Sequence, residues 1–175
     1  MNAAVRRVAI LGAESSGKST LAAALAARYR TVWVPEYLRE FVDTRRRVPC
    51  DSDQFAIAAT QLARERAAAT HAGAGRLLFC DTTPLMTAIY SRFYFHGADP
   101  QLAALTEEQH YDFTLVTAPD GPWVADGLQR ESETVRLQIH QMLLDELAAR
   151  AIPFVLVQGD LESRLAQAAR LLGPP

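Results

Sequence analysis

The chain has 175 residues, of which 49% are hydrophobic and 22% charged, with a formal net charge of −2 at pH 7. That length can bury a sizeable core but is too short for two enzyme domains, so residues 1–175 read as a single domain. The near-neutral charge gives no whole-protein attraction to nucleic acid or anionic lipid, and no apolar run approaches the ~20 residues that span a bilayer.

The N-terminal residues Met1 to Arg7 run almost directly into an apolar strand, with no place for a signal peptide. Cys50 and Cys80 stand in unlike settings, so a disulfide framework is not expected and the expected location is the reducing cytoplasm. His71, His96, His110 and His140 lack zinc-ligand spacing.

Along the chain, Val8-Ala9-Ile10-Leu11 reads as a strand and Leu21 to Ala27 as a helix. Between them, Gly12-Ala13-Glu14-Ser15-Ser16-Gly17-Lys18-Ser19-Thr20 fits the phosphate-binding pattern G-x-x-x-x-G-K-[ST], in the strand-to-helix context that pattern requires. Gly12, Glu14, Ser15, Ser16, Gly17, Lys18, Ser19 and Thr20 are therefore expected to surround the phosphates of a nucleoside triphosphate. Lys18 would act as a point charge on the β/γ-phosphates, and the Ser19 hydroxyl would hold Mg²⁺.

A second strand, Thr31 to Val34, ends at Pro35-Glu36-Tyr37-Leu38-Arg39-Glu40-Phe41. Glu36 at a strand end could accept a proton from an acceptor hydroxyl, with Arg39 pairing to it or to phosphate; the alternative is a solvated helix start. Asp51-Ser52-Asp53 can cap a helix running to about Thr70, which the stretch from Ala72 to Gly75 breaks. A third strand, Arg76 to Cys80, ends at Asp81, the position from which a carboxylate holds Mg²⁺ in P-loop proteins, or else caps the helix begun at Thr83-Pro84. Cys80 itself reads as a small buried residue. The triplet Arg45-Arg46-Arg47 reads as a solvated loop.

Two further strands, Phe113 to Val116 and Phe154 to Val157, flank a Pro/Gly-rich loop from Ala118 to Trp123 and a helix from Glu133 to Arg150. A final helix covers Leu161 to Leu172. The loop and its continuation through Asp126 and Arg130 have the composition of a lid, with Arg130 or Arg136 available to stabilise charge on a transferring phosphoryl group. Tyr37 or Trp123 could offer an aromatic face to an acceptor's base. Five strands alternating with helices give a three-layer α/β/α fold with a five-stranded parallel sheet, its ligands at the C-terminal strand ends and a lid after strand four.

These motifs, in this order, resemble the ribosylnicotinamide kinase domain of the bacterial NAD regulator NadR and its stand-alone P-loop (AAA-like ATPase) relatives. The residues that carry the resemblance are Gly12 to Ser19, Glu36 to Phe41, Asp81-Thr82, Pro122-Trp123 and Asp126-Gly127-Leu128. The resemblance implies ATP- and Mg²⁺-dependent phosphorylation of the 5′-hydroxyl of nicotinamide riboside, giving nicotinamide mononucleotide in NAD biosynthesis. With it, Lys18, Glu36 and Asp81 are expected in catalysis together with a lid arginine, Arg130 or else Arg136; Ser19 and Asp81 on the metal; and Glu36, Tyr37, Arg39, Trp123 and Asp126 around the nucleoside. The chain is also similar to deoxynucleoside kinases, in which a Glu after strand two acts as base. Another nucleoside or nucleotide kinase, or a slow ATP-hydrolysing switch, stands as the alternative. An arginine directly after Leu128 would match the lid more simply than Gln129-Arg130 does. Nucleic-acid and membrane partners are not expected, and the oligomeric state is left open.

Overall fold

Alternation along β1 (Arg6–Leu11) sets the architecture, because Val8 and Ile10 face one layer of helices while Ala9 and Leu11 face the other, and all four are buried. The computed structural model describes residues 4–73, 76–97, 99–108, 110–124 and 132–175. β1 lies at the centre of a five-stranded sheet of order β2-β3-β1-β4-β5, all parallel, with β2 at Trp33–Val34, β3 at Leu77–Asp81, β4 at Phe113–Thr117 and β5 at Val155–Val157.

On one face, α1 (Lys18–Arg28) and α7 (Leu161–Leu172) pack Leu21, Leu25, Leu165 and Ala168 against Val8, Ile10, Phe79, Leu115 and Val157. On the other, α4 (Pro84–Phe95) and α6 (Glu133–Ala149) bring Met86, Ile89, Ile139, Leu143 and Leu147 onto Ala9, Leu11 and Val116. α3 (Gln54–Ala72) covers Leu78 and Cys80 on that same side. The expected three-layer arrangement is the one observed.

Three details depart from the sequence reading. β2 is two residues long: the Thr31 hydroxyl instead donates to the carbonyl of Leu77 at 2.6 Å. β5 begins at Val155, leaving Phe154 outside the ladder. A helix not expected from the sequence, α5 (Pro100–Glu107), is capped by the Asp99 carboxylate accepting from the Gln101 N–H at 2.6 Å. The arginine triplet, expected as a solvated loop, straddles the end of α2 (Tyr37–Arg45): Arg45 is its last residue, Arg46 its C-cap, and Arg47 makes a forked pair with Asp53 at the 3₁₀ turn Asp51–Asp53.

Candidate active site

The register decides what surrounds the loop after β1. Ile10 lies beside Asp81 and Leu11 beside Val116, so β1 delivers its loop between the ends of β3 and β4. At Gly12 a Cβ would stand 2.1 Å from the Thr117 hydroxyl, so only glycine fits against β4. That hydroxyl lies 2.6 Å from the Ser16 hydroxyl, which in turn is 2.6 Å from the carbonyl of Ala13, fastening the loop from inside. Gly17 has φ 85 and caps α1, a conformation that favours glycine. Lys18 is buried, and its ammonium donates to the carbonyl of Ala13 at 3.0 Å across the mouth of the loop. The Glu14 N–H donates to the Tyr90 hydroxyl at 3.1 Å and the Ser15 hydroxyl to the carbonyl of Val124 at 3.0 Å, while Thr20 is exposed on the first turn of α1.

Asp81 ends β3 within reach of α1, and its Oδ2 accepts from the Ser19 hydroxyl at 2.5 Å. Its Oδ1 is buried with no hydrogen-bond partner among the described residues. A hydroxyl beside a carboxylate with a spare buried oxygen is a hard-oxygen donor pair of the kind Mg²⁺ takes when phosphates complete its shell. Thr82 follows at φ 67 and bonds the carbonyl of Ile10 at 3.0 Å, turning the chain away directly after the carboxylate.

Glu36 is brought to the same edge by β2. Its side chain is only 14% exposed, and its Oε2 lies 3.3 Å from Nε of Arg39, whose own side chain is 55% exposed. Burial pushes the Glu36 carboxyl above its ordinary value; the Lys18 ammonium opposes that rise, the Asp81 carboxylate adds to it and Arg39 opposes it. Gln61 of α3 ties the acidic positions together, accepting from the Tyr37 N–H at 2.8 Å and donating to the carbonyl of Asp81 at 3.4 Å. One face of the Tyr37 ring is taken by the Arg64 guanidinium, 4.6 Å from the ring centre, and Arg64 also forks onto Glu40.

The structure thus brings Lys18, Ser19, Glu36, Arg39 and Asp81 together at the C-terminal edge of the sheet. Trp123 is half-buried beside Val124, which Ser15 holds. Asp126 and Arg130 lie outside the described residues. Arg136, the other candidate arginine, is buried and donates to the carbonyls of Ser15, Pro119 and Gly121 at 3.2, 3.2 and 2.9 Å and to Glu133 at 2.8 Å. Thr117, Gln61, Tyr90 and Arg164 also touch the site and were not singled out from the sequence. Arg164 bonds the carbonyl of Ser16 from the far end of the chain. Of these, only Thr117 carried a local sign, as a polar residue closing an apolar strand.

A family model described as an AAA domain matches residues 7–164. The trifunctional NAD biosynthesis/regulator protein NadR of Escherichia coli (strain K12) is 32% identical over 178 residues, covering 96% of this chain and 42% of NadR. The chain therefore spans less than half the length of that relative. A solved structure of NadR in complex with NR superposes with a TM-score of 0.83 at 19% identity, and one with NAD and AMP-PNP at 0.80 and 20%; each covers 98% of this chain and 50% of the other. Deoxyadenosine kinase from M. mycoides, solved with its products, matches at 0.63 and 14%, covering 95% of this chain and 98% of the kinase. At such identities these structures share the fold. With the family model spanning nearly the whole chain over a phosphate-binding loop built in this way, the chain belongs to the AAA domain family.

Proposed function

We propose that this chain transfers the γ-phosphoryl group of ATP to the 5′-hydroxyl of nicotinamide riboside, giving nicotinamide mononucleotide and ADP. The observation that carries the proposal is Glu36: a largely buried carboxylate of raised basicity beside Lys18 and Asp81, at the sheet edge where the phosphate-binding loop opens. The likeness to NadR, whose printed name includes NAD biosynthesis and one of whose structures holds NR, supports this acceptor.

The geometry supports the following division of labour. The loop N–H groups and Lys18 orient the triphosphate and offset its charge. Glu36 takes the proton of the attacking hydroxyl as the new O–P bond forms and the bond from the γ-phosphorus to ADP breaks. Arg39 holds the Glu36 carboxylate in place. Ser19 and Asp81 would hold Mg²⁺, which supplies charge neutralisation on the phosphates when bound. Arg130 is the proposed closing arginine, and Trp123 and Asp126 the proposed nucleoside contacts beside Tyr37 and Arg39.

The test is ATP turnover with nicotinamide riboside, adenosine, thymidine and deoxycytidine, with products read by mass spectrometry. Strong stimulation by nicotinamide riboside, with nicotinamide mononucleotide equal to ADP formed, is expected. Deoxynucleosides should be poor acceptors, since a buried polar site deprived of its hydroxyl partner discriminates by up to about 10⁴-fold. The fold shared with deoxyadenosine kinase makes the rival outcome concrete: equal stimulation by a deoxynucleoside would assign the chain to that chemistry. Turnover indifferent to every nucleoside would leave an ATP-hydrolysing switch.

A further inference from the structure

We propose that Arg136 and Arg164 are positioning residues that shape the phosphate cradle from behind, by holding the carbonyls of two successive loop residues. The proposal rests on the nucleotide-binding reading above and extends it to side chains that never meet the ligand. In a trans peptide the C=O and the following N–H point to opposite sides. Nη1 of Arg136 bonds the carbonyl of Ser15 at 3.2 Å, and Nη1 of Arg164 bonds that of Ser16 at 2.5 Å. The N–H groups of Ser16 and Gly17 are therefore turned away from both arginines, to the opposite side of the loop, where the phosphates would lie. Arg164 sits so close behind that a Cβ on Gly17 would be 3.0 Å from its Nη1.

What else these guanidiniums hold shows why they can fix the loop. Arg164 bonds the carbonyls of Gly159 at 2.9 Å and Ala118 at 3.1 Å, and pairs with Asp120. Asp120 also accepts from the Gly159 N–H at 2.6 Å. Arg136 reaches Pro119 and Gly121. Both arginines thus brace the phosphate-binding loop against residues 118–121 after β4, and Arg164 adds the loop after β5. Their charges are only partly offset: Arg136 is 2% exposed while its partner Glu133 is 51% exposed, and Asp120 is also part-exposed.

Calorimetric titration of MgADP and of AMP into the wild type, Arg136→Gln, Arg164→Ala and Arg164→Lys, with the unliganded melting temperature of each, tests this. MgADP affinity should fall about ten- to a hundredfold in each variant, the scale of losing a charge-assisted hydrogen bond. AMP, which leaves the β-phosphate cradle empty, should lose far less. Lysine should not rescue, because one ammonium cannot fork across Ser16 and Ala118. Should Arg164→Ala fail to fold, Arg164→Lys, which keeps the buried charge, carries the test. Variants that bind MgADP as the wild type does, full recovery by lysine, or equal losses for ADP and AMP would overturn the proposal. A wild type that binds no MgADP would instead overturn the nucleotide reading, and the clamp with it.

Discussion

Glu36 illustrates how one residue's chemistry is set by charges from three elements. Glu36 caps α2 just beyond β2, Lys18 opens α1 and Asp81 closes β3, and the net of burial and these neighbours is a raised pKa. A base of raised pKa is protonated, and so idle, up to a higher pH than an ordinary carboxylate. The acid limb of kcat/KM should accordingly lie higher than an ordinary glutamate would set it. Glu36→Gln keeps the shape but cannot take a proton, and should lower kcat by about 10²–10⁴-fold with that limb gone. Arg39→Gln removes a neighbour that lowers the Glu36 pKa, so the limb should move upward. A pH profile of each variant decides: an unchanged limb in Glu36→Gln would transfer the base role to another group.

At the scale of elements, α3 does two things for the site. Its Gln61 ties Tyr37 to Asp81, and one turn further on it buries a carboxylate. Glu65 is fully enclosed between α3 and the sheet, takes hydrogen bonds from the Tyr111 hydroxyl at 3.1 and 3.0 Å, and lies 3.8 Å from Arg7. Burial pushes its pKa up to about 7, against the pull of Tyr111, Arg7, Cys80 and Arg66. Unfolded, the same group titrates near 4.3. Between those values the folded state holds a proton that the unfolded state has released, so this contribution to stability is lost as pH rises through that window. Glu65→Gln, a mimic of the neutral acid, should be more stable than the wild type at pH 8, by up to about 3 kcal/mol. At pH 4 the two should be nearly equal. Urea melts at the two pH values measure this, and a variant less stable than the wild type at pH 8 would show that the ionised Glu65 is the favoured form.

The elements also show what a single sequence can carry. The phosphate-binding loop, the five strands and the helices flanking them were legible because each follows from local pattern: alternation or apolar runs, caps, and a motif whose spacing has one structural meaning. Helix α5 is not legible in the sequence although Asp99-Pro100 is a cap followed by a first-turn proline; its apolar residues fall in one consecutive run, Leu102 to Leu105, and a helix this short shows no repeating period. Asp81 could be placed from the sequence because it ends the apolar run of β3, and Glu36 because it stands between a short apolar run and the start of α2, where it is the N-cap rather than a strand residue. Arg164 was not, because 148 residues separate it from Ser16, and an arginine in the amphipathic α7 reads as part of a solvated face until the fold brings it behind the loop.

For the whole molecule, the order β2-β3-β1-β4-β5 gathers the ends of every strand at one edge. Loops after β1, β4 and β5 are already joined there by Thr117, Arg136 and Arg164, and Ser19 joins the first of them to β3. A nucleotide bound in the cradle would therefore engage parts of the chain that unfolding separates, and its binding free energy becomes folding free energy. With MgADP at a hundred times its dissociation constant the gain is about 2.7 kcal/mol, enough to raise the melting temperature by several degrees in a domain of this size. Lys18 is the side chain on which this linkage depends most directly, because its ammonium is held at the mouth of the loop by the carbonyl of Ala13 and has only to swing onto phosphate. Lys18→Ala leaves the apolar core untouched, so its unliganded melting temperature should stay within a few degrees of the wild type, while the shift on adding MgADP should largely disappear along with phosphoryl transfer. A differential scanning fluorimetry series over MgADP concentration separates the two effects. A full MgADP shift in Lys18→Ala, or a collapse of the unliganded protein, would mean that Lys18 serves the fold rather than the nucleotide.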